Sequence, residues 1–167
     1  MPKILTTVGS AYALVKAGEF DLLKPRNITQ NFTWGEVFTG INERSTKEMA
    51  ELKALPKSVY ENAFMTALQM EKRRVLHGNK SIKVNSWVRV PSHNARVGGK
   101  PKTDKAHGSF HMDGVAVDYV VAGEAPSVTQ KRVDGVNFGG LEYAPTWTHE
   151  DWRNLLDPPH PKARFYP

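Results

Sequence analysis

The chain has 167 residues, 40% of them hydrophobic, enough apolar material for one compact domain to fold unaided. It contains no cysteine, which excludes disulfides, thiolate metal sites and thiol nucleophiles; any metal must sit on histidine and carboxylate ligands. Twenty-three basic against seventeen acidic residues give a net charge of +6, a balance that suits polyanionic partners.

Near the N-terminus, Leu5, Val8, Tyr12 and Val15 recur at three- and four-residue spacing, which predicts an amphipathic helix. The stretch after Lys3 makes a poor signal peptide, because two threonines, Gly9 and Ser10 interrupt its apolar run. Residues 1–27 therefore read as a helical extension with no cleaved leader. Residues 24–31 form a connector containing proline and asparagine. Thr33-Trp-Gly-Glu36 has capping-box spacing and predicts the start of a short helix. Residues 46–55 read as a helix stopped by Pro56. From Lys57 to His77, Val59, Ala63, Ala67 and Met70 form a helical stripe that Phe64 and Leu68 widen. His77, followed by Gly78, fits a cationic helix end. The densest charge run, Glu71-Lys-Arg-Arg74, reads as a solvated face of that helix. No nucleic-acid motif accompanies it, so nucleic acid is not expected as a partner. No stretch approaches twenty apolar residues, and no membrane span is expected.

Over Ile82–Val90, alternation places Ile82, Val84, Val88 and Val90 on one face of a strand and Asn85, Trp87 and Arg89 on the other. Residues 91–108 read as a long loop that adjoins Arg89 and His111 and walls a cleft; it holds His93 and His107. The β-branched and aromatic run Val115–Val121 predicts a strand on which Ala116 and Asp118 point the same way. Gly114 lets the chain bend so that His111 swings over that face. In Trp147–Arg153, period two puts His149, Asp151 and Arg153 on one face and Thr148, Glu150 and Trp152 on the other. The two strands can thus present His111, Asp118 and His149 to one ion. Two imidazoles and a carboxylate leave the fourth tetrahedral position of Zn²⁺ open to water, whose pKa would fall from 15.7 towards roughly 7. The Pro-rich tail, residues 157–167, can form neither helix nor central strand and is expected to wrap the surface or meet a partner.

The pattern Ser-x-His-x-x-Gly-x-Ala-x-Asp, filled by Ser109, His111, Gly114, Ala116 and Asp118, resembles the signature of the D-Ala-D-Ala carboxypeptidase family of zinc peptidases. That group includes bacterial DD-carboxypeptidases, the D-Ala-D-Ala dipeptidases of vancomycin resistance and phage L-alanyl-D-glutamate endolysins. The stretch from Ser86-Trp-Val-Arg89 through Asn94 to Gly98-Gly99 is similar to a second family segment. The approach from Gly139-Gly140 through Tyr143 to His149-x-Asp151-x-Arg153 is similar to a third, and Asn31-Phe-Thr-Trp-Gly-Glu36 to an opening of some members.

The resemblance implies a single small α+β domain over residues 28–156, hedgehog/DD-peptidase-like. Its antiparallel sheet would carry a zinc site, with helices packed on one side. It implies His111, Asp118 and His149 as Zn²⁺ ligands, and Arg89 as the contact to a substrate carbonyl or carboxylate. Ser109 would support the first ligand. The reaction implied is hydrolysis of amides in peptidoglycan stem peptides or crosslinks, by a carboxypeptidase or endopeptidase. The chain departs from the family where many members carry an acid three positions before the last histidine; Thr146 stands there. Asp151, on the ligand face, and Glu142 are the candidate bases, and an impaired site is the third option. With no export signal, the expected setting is a phage endolysin or virion-associated lysin, reaching the bacterial wall from the host cytoplasm or the virion. The alternative is a non-catalytic virion structural protein that keeps the fold, with virion proteins as partners.

Overall fold

The strongest helical stripe in the sequence becomes the longest helix of the computed structural model, which describes residues 2–166. Met1 and Pro167, the outermost residues of the expected extension and tail, lie outside the described residues. That helix, α5 (Lys57–Leu76), follows α1 (Val8–Lys16), α2 (Phe20–Leu23), α3 (Trp34–Val37) and α4 (Thr46–Ala54). It buries Val59, Tyr60, Ala63, Ala67 and Met70, residues three or four apart in the pattern of a helix with one core-facing side. Phe64 and Leu68 do not widen the buried stripe: they stay 36% and 38% exposed.

The N-terminal helices share this core. Ala11 and Val15 of α1 and Phe20 and Leu23 of α2 belong to the same buried cluster as α5. The capping box at Thr33 forms as the sequence predicts: Glu36 N–H donates to Thr33 Oγ1, and Thr33 N–H donates to the Glu36 carboxylate at 2.7 Å.

Five strands make one sheet, β1 (Ile82–Ser86), β2 (Ala116–Val121), β3 (Gly140–Glu142), β4 (Thr148–Asp151) and β5 (Ala163–Phe165). Their order is β1-β2-β4-β3-β5; every pairing is antiparallel except β3 with β5. Two further helices, α6 (Pro91–Arg96) and α7 (Pro126–Asp134), complete an α+β domain. Val117, Tyr119 and Val121 of β2 and Ile82 and Val84 of β1 join the cluster under α5. The opposite face of the sheet is left for polar chemistry. No helix among the described residues is long and apolar enough to cross a membrane.

Beneath α5 a polar group is buried with full compensation. The Arg73 guanidinium forks onto the Glu150 carboxylate, Nε to Oε2 at 2.9 Å and NH2 to Oε1 at 2.8 Å. Tyr119 Oη donates to Glu150 Oε2 at 2.6 Å and Asn137 Nδ2 to Oε1 at 3.0 Å. An ion pair this deep is tolerable only because each charge is met by a partner of matching geometry.

Further expectations need correcting. Arg73, read as part of a solvated face, is 4% exposed. His77, read as a cationic helix end, is buried, and burial holds its pKa below the ordinary value. The strand expected through Arg153 ends at Asp151. The strand expected through Val90 ends at Ser86, where the register with β2 shifts between Val84 and Ser86. Trp87 and Val88 are then both fully buried, which strict alternation forbids, and Trp87 Nε1 donates to the Gly114 carbonyl at 3.1 Å. Residues 91–108 are not one loop either: Pro91 opens α6, and His93 and Asn94 are buried in it. The proline starts the helix because its fixed φ and missing N–H suit a first turn. The tail behaves as its composition requires, supplying a three-residue edge strand.

Candidate metal centre

One row of residues crosses the polar face of the sheet. Ser86 on β1 stands opposite Asp118 on β2, Asp118 opposite His149 on β4, His149 opposite Glu142 on β3, and Glu142 opposite Phe165 on β5. Facing residues on paired strands project to the same side, so the strand register itself assembles the carboxylate and one imidazole. The neighbouring row places Ala116 and Gly140 on either side of Asp151.

His111 arrives from outside the sheet. It lies in the 3₁₀ turn Phe110–Asp113, which ends at Gly114 with φ +81°. That conformation suits glycine, and a Cβ there would stand 2.7 Å from the Val59 carbonyl oxygen. The turn is tied down by Arg89, whose N–H donates to the His111 carbonyl at 3.0 Å.

The three side chains converge. His111 Nε2 lies 3.3 Å and His149 Nδ1 2.7 Å from Asp118 Oδ1, and one donor atom from each residue falls within 4.8 Å of the others. In a tetrahedral zinc shell with bonds near 2.0–2.1 Å, neighbouring ligand atoms stand roughly 3.3 Å apart. The buried group His111, Asp118 and His149 can therefore hold a metal ion.

Orientation supports the fit. The Nδ1–H of His111 donates to the Trp87 carbonyl at 2.7 Å, which turns the Nε2 lone pair inward. His149 Nε2 lies 3.3 Å from Asp151 Oδ2, leaving Nδ1 inward. Each imidazole thus has its outer nitrogen anchored on an oxygen, as metal-binding histidines generally do. Asp118 is steadied from behind, its Oδ2 accepting from Arg89 NH2 at 2.8 Å while Arg89 Nε donates to Ser86 Oγ at 2.9 Å.

Titration behaviour follows from these contacts. Burial holds the His111 imidazole below its ordinary pKa despite Asp118 beside it. Burial also opposes a charge on His149, but hydrogen bonds to Asp118 and Asp151 outweigh it and raise that imidazole to about 9. Asp118 would be raised by burial, yet His111 and His149 hold it well below the carboxylate range. An uncharged Nε2 and an ionised Oδ1 facing each other at 3.3 Å form a site shaped for a cation.

The two candidate bases are placed differently. Asp151 is fully buried. Its Oδ1 accepts from Gly140 N at 3.0 Å, Arg153 N at 3.2 Å and Arg153 Nε at 2.7 Å; its Oδ2 accepts from Arg153 NH2 at 2.6 Å. Burial would raise its pKa, but Arg153 and His149 hold the carboxyl far down, which suits an anchor and not a proton acceptor. Glu142 is half-buried in the row between His149 and Phe165, close enough to Arg89 for its charge to act on that guanidinium. Thr146 is exposed between β3 and β4. Ser109 precedes the His111 turn, its N–H donating to the Lys100 carbonyl at 3.0 Å. His107 stacks on Phe110 with ring centroids 4.3 Å apart, at the same end of the molecule as His160.

Three supporting groups escaped sequence reasoning. The Trp87 carbonyl is main chain and carries no residue signature. Phe110 and Phe165, which flank Arg153, are far apart in the chain. Gly140 did leave a signal in the Gly139-Gly140 pair: a Cβ at Gly140 would lie 2.2 Å from Asp151 Oδ2. No protein-family model matches this chain, and no curated protein matches it.

Proposed function

We propose that this protein is a zinc-dependent peptidase that hydrolyses amide bonds in peptidoglycan stem peptides or crosslinks, in the manner of a phage endolysin or virion-associated lysin. The observation that carries the reading is the paired anchoring of His111 on the Trp87 carbonyl and His149 on Asp151, with both inner nitrogens turned to Asp118. The resemblance of the Ser109–Asp118 and Gly139–Arg153 segments to wall-cleaving zinc peptidases supplies the substrate class. Two imidazoles and a carboxylate with a fourth position open suit Zn²⁺, and oxygen-seeking ions such as Mg²⁺ or Ca²⁺ less well. An ion held there supplies Lewis acidity, acidifying a water and polarising the scissile carbonyl.

The remaining work falls to side chains. Glu142, opposite His149 and half-buried, takes a proton from the attacking water on its carboxylate and returns it to the leaving amine nitrogen. Arg89 uses Nε on Ser86 and one NH2 on Asp118, and its remaining N–H donors bind the substrate carbonyl or carboxylate oxygen. Asp151 keeps the His149 ring turned and does not itself accept the proton.

The test is digestion of purified peptidoglycan with and without chelator, with fragments identified by mass spectrometry. Release of new amino groups that stops on chelation and returns with Zn²⁺ is expected. Intact wall after treatment with zinc-loaded protein would sink the reading. A second reading, a virion structural protein retaining the fold, draws on exposed Thr146 standing where relatives carry an acid. It is favoured if zinc binds tightly and no amine is released.

A further inference from the structure

A continuous line of contacts runs from His149 to the end of the chain. Asp151 anchors the imidazole, and Arg153 grips Asp151 through Nε and NH2. The Arg153 guanidinium is in turn held between two rings, 4.2 Å from the centroid of Phe110 and 5.0 Å from that of Phe165. Planar guanidinium groups stack on aromatic faces while keeping their in-plane donors free, so this cage fixes the direction of the fork without competing for its hydrogens.

Phe165 belongs to the tail, and the tail is tightly fastened. β5 runs parallel to β3, with Phe165 opposite Glu142. Arg164 donates from NH1 to the Gly139 carbonyl at 3.1 Å and from NH2 to the Asp134 and Asn137 carbonyls at 3.0 and 2.9 Å. His160 N–H donates to the Arg153 carbonyl at 3.0 Å, and its ring meets Phe110 edge-on. Phe165 is 38% exposed and stands outside the buried hydrophobic cluster, so its ring packs on a cation and not on the core. Gly140 completes the arrangement, since a Cβ there would stand 2.5 Å from Arg153 NH2.

Resting on the metal-centre reading, we propose that residues 157–166 form a clamp that positions the ligand His149: Phe165, opposite Phe110, holds Arg153, and Arg153 holds the Asp151 anchor. The tail is then part of the centre's support and more than a cover for the sheet edge. Phe165 is a positioning residue, three contacts removed from His149.

The experiment compares the full chain with Phe165→Ala, Phe165→Trp and Tyr166→Ala. Tyr166 is a control from the same tail: it is 76% exposed and stacks on Tyr143 at 4.9 Å, away from Arg153. Zn²⁺ affinity is read by competition with a chelating dye, and the His149 imidazole by nitrogen NMR in the ion-free protein. Phe165→Ala should weaken Zn²⁺ binding roughly tenfold and shift the His149 ring resonances, with the thermal midpoint of the ion-free protein unchanged. Phe165→Trp should restore both, and Tyr166→Ala should leave both at wild-type values. Wild-type affinity and an unmoved His149 spectrum in Phe165→Ala would overturn the clamp, as would equal losses in Tyr166→Ala. If wild-type protein takes up no Zn²⁺, the metal-centre reading fails, and the ion-free His149 spectrum still decides the clamp.

Discussion

The Nδ1–H of His111 and the main-chain carbonyl of Trp87 meet at 2.7 Å across the end of β1, so the inward nitrogen of that ring is chosen by backbone geometry. The consequence is an imidazole ready to bind a cation without first reorienting. His111→Ala and Asp118→Ala should each lower Zn²⁺ affinity on the order of 10²-fold or more, since structural zinc energies divide to roughly 3–4 kcal/mol per ligand. Equilibrium dialysis against a chelator reads the loss. Full zinc content in either variant would remove these residues from the centre.

Proton release gives an independent check. In the ion-free protein His149 is raised to about 9 by Asp118 and Asp151, against the opposing effect of burial. Because the folded pKa lies above the unfolded value of about 6.5, this group stabilises the ion-free fold below pH 6.5. The contribution is lost as pH rises through about 9. A cation at Nδ1 must displace that proton. Between about 6.5 and 9 each ion bound should release at least one proton, from His149, and a second where the ion's water is acidified, so affinity should fall at least about tenfold per unit of decreasing pH. Calorimetry in buffers of different ionisation enthalpy measures the released proton directly, and a release of zero in this range would contradict the assignment.

Glu142 and Asp151 should separate by phenotype. Glu142→Gln removes the proton carrier and leaves the ligands, so wall hydrolysis should drop by about 10²–10⁴-fold with zinc retained. Asp151→Asn loosens the His149 anchor, so zinc affinity itself should fall by about 10–100-fold. The reverse pattern would return the base role to Asp151.

The buried pair under α5 governs stability and not chemistry. Glu150→Gln leaves the Arg73 guanidinium without a counter-charge in a site where both side chains are almost wholly buried. The loss should be about 3–5 kcal/mol, read from denaturant unfolding. A loss below about 1 kcal/mol would mean that water reaches the pair.

Much of this arrangement was legible in the chain. Period-two alternation put Asp118 and His149 on strand faces, and register then made them direct neighbours. The capping box at Thr33 and the Val59–Met70 stripe carried their helices because local chemistry suffices there. Legibility failed where tertiary contacts override the pattern. Trp87 is buried in a position that alternation assigns to the outer face, because its indole N–H finds the Gly114 carbonyl. α6 was hidden because its inward residues, His93 and Asn94, are polar and leave no apolar stripe. The sequence shows the face on which Asp151 lies but not the Gly140 and Arg153 donors that hold its carboxylate.

The row Ser86, Asp118, His149, Glu142 and Phe165 draws one member from each of five strands, and the third ligand comes from a turn beyond them. The motif-bearing stretch 109–118 supplies His111 and Asp118 but not His149, which reaches the group only through the pairing of β4 with β2. An ion held by the three would therefore report on the docking of β4 against β2: during refolding its uptake should rise with that pairing and not with the first helix to form.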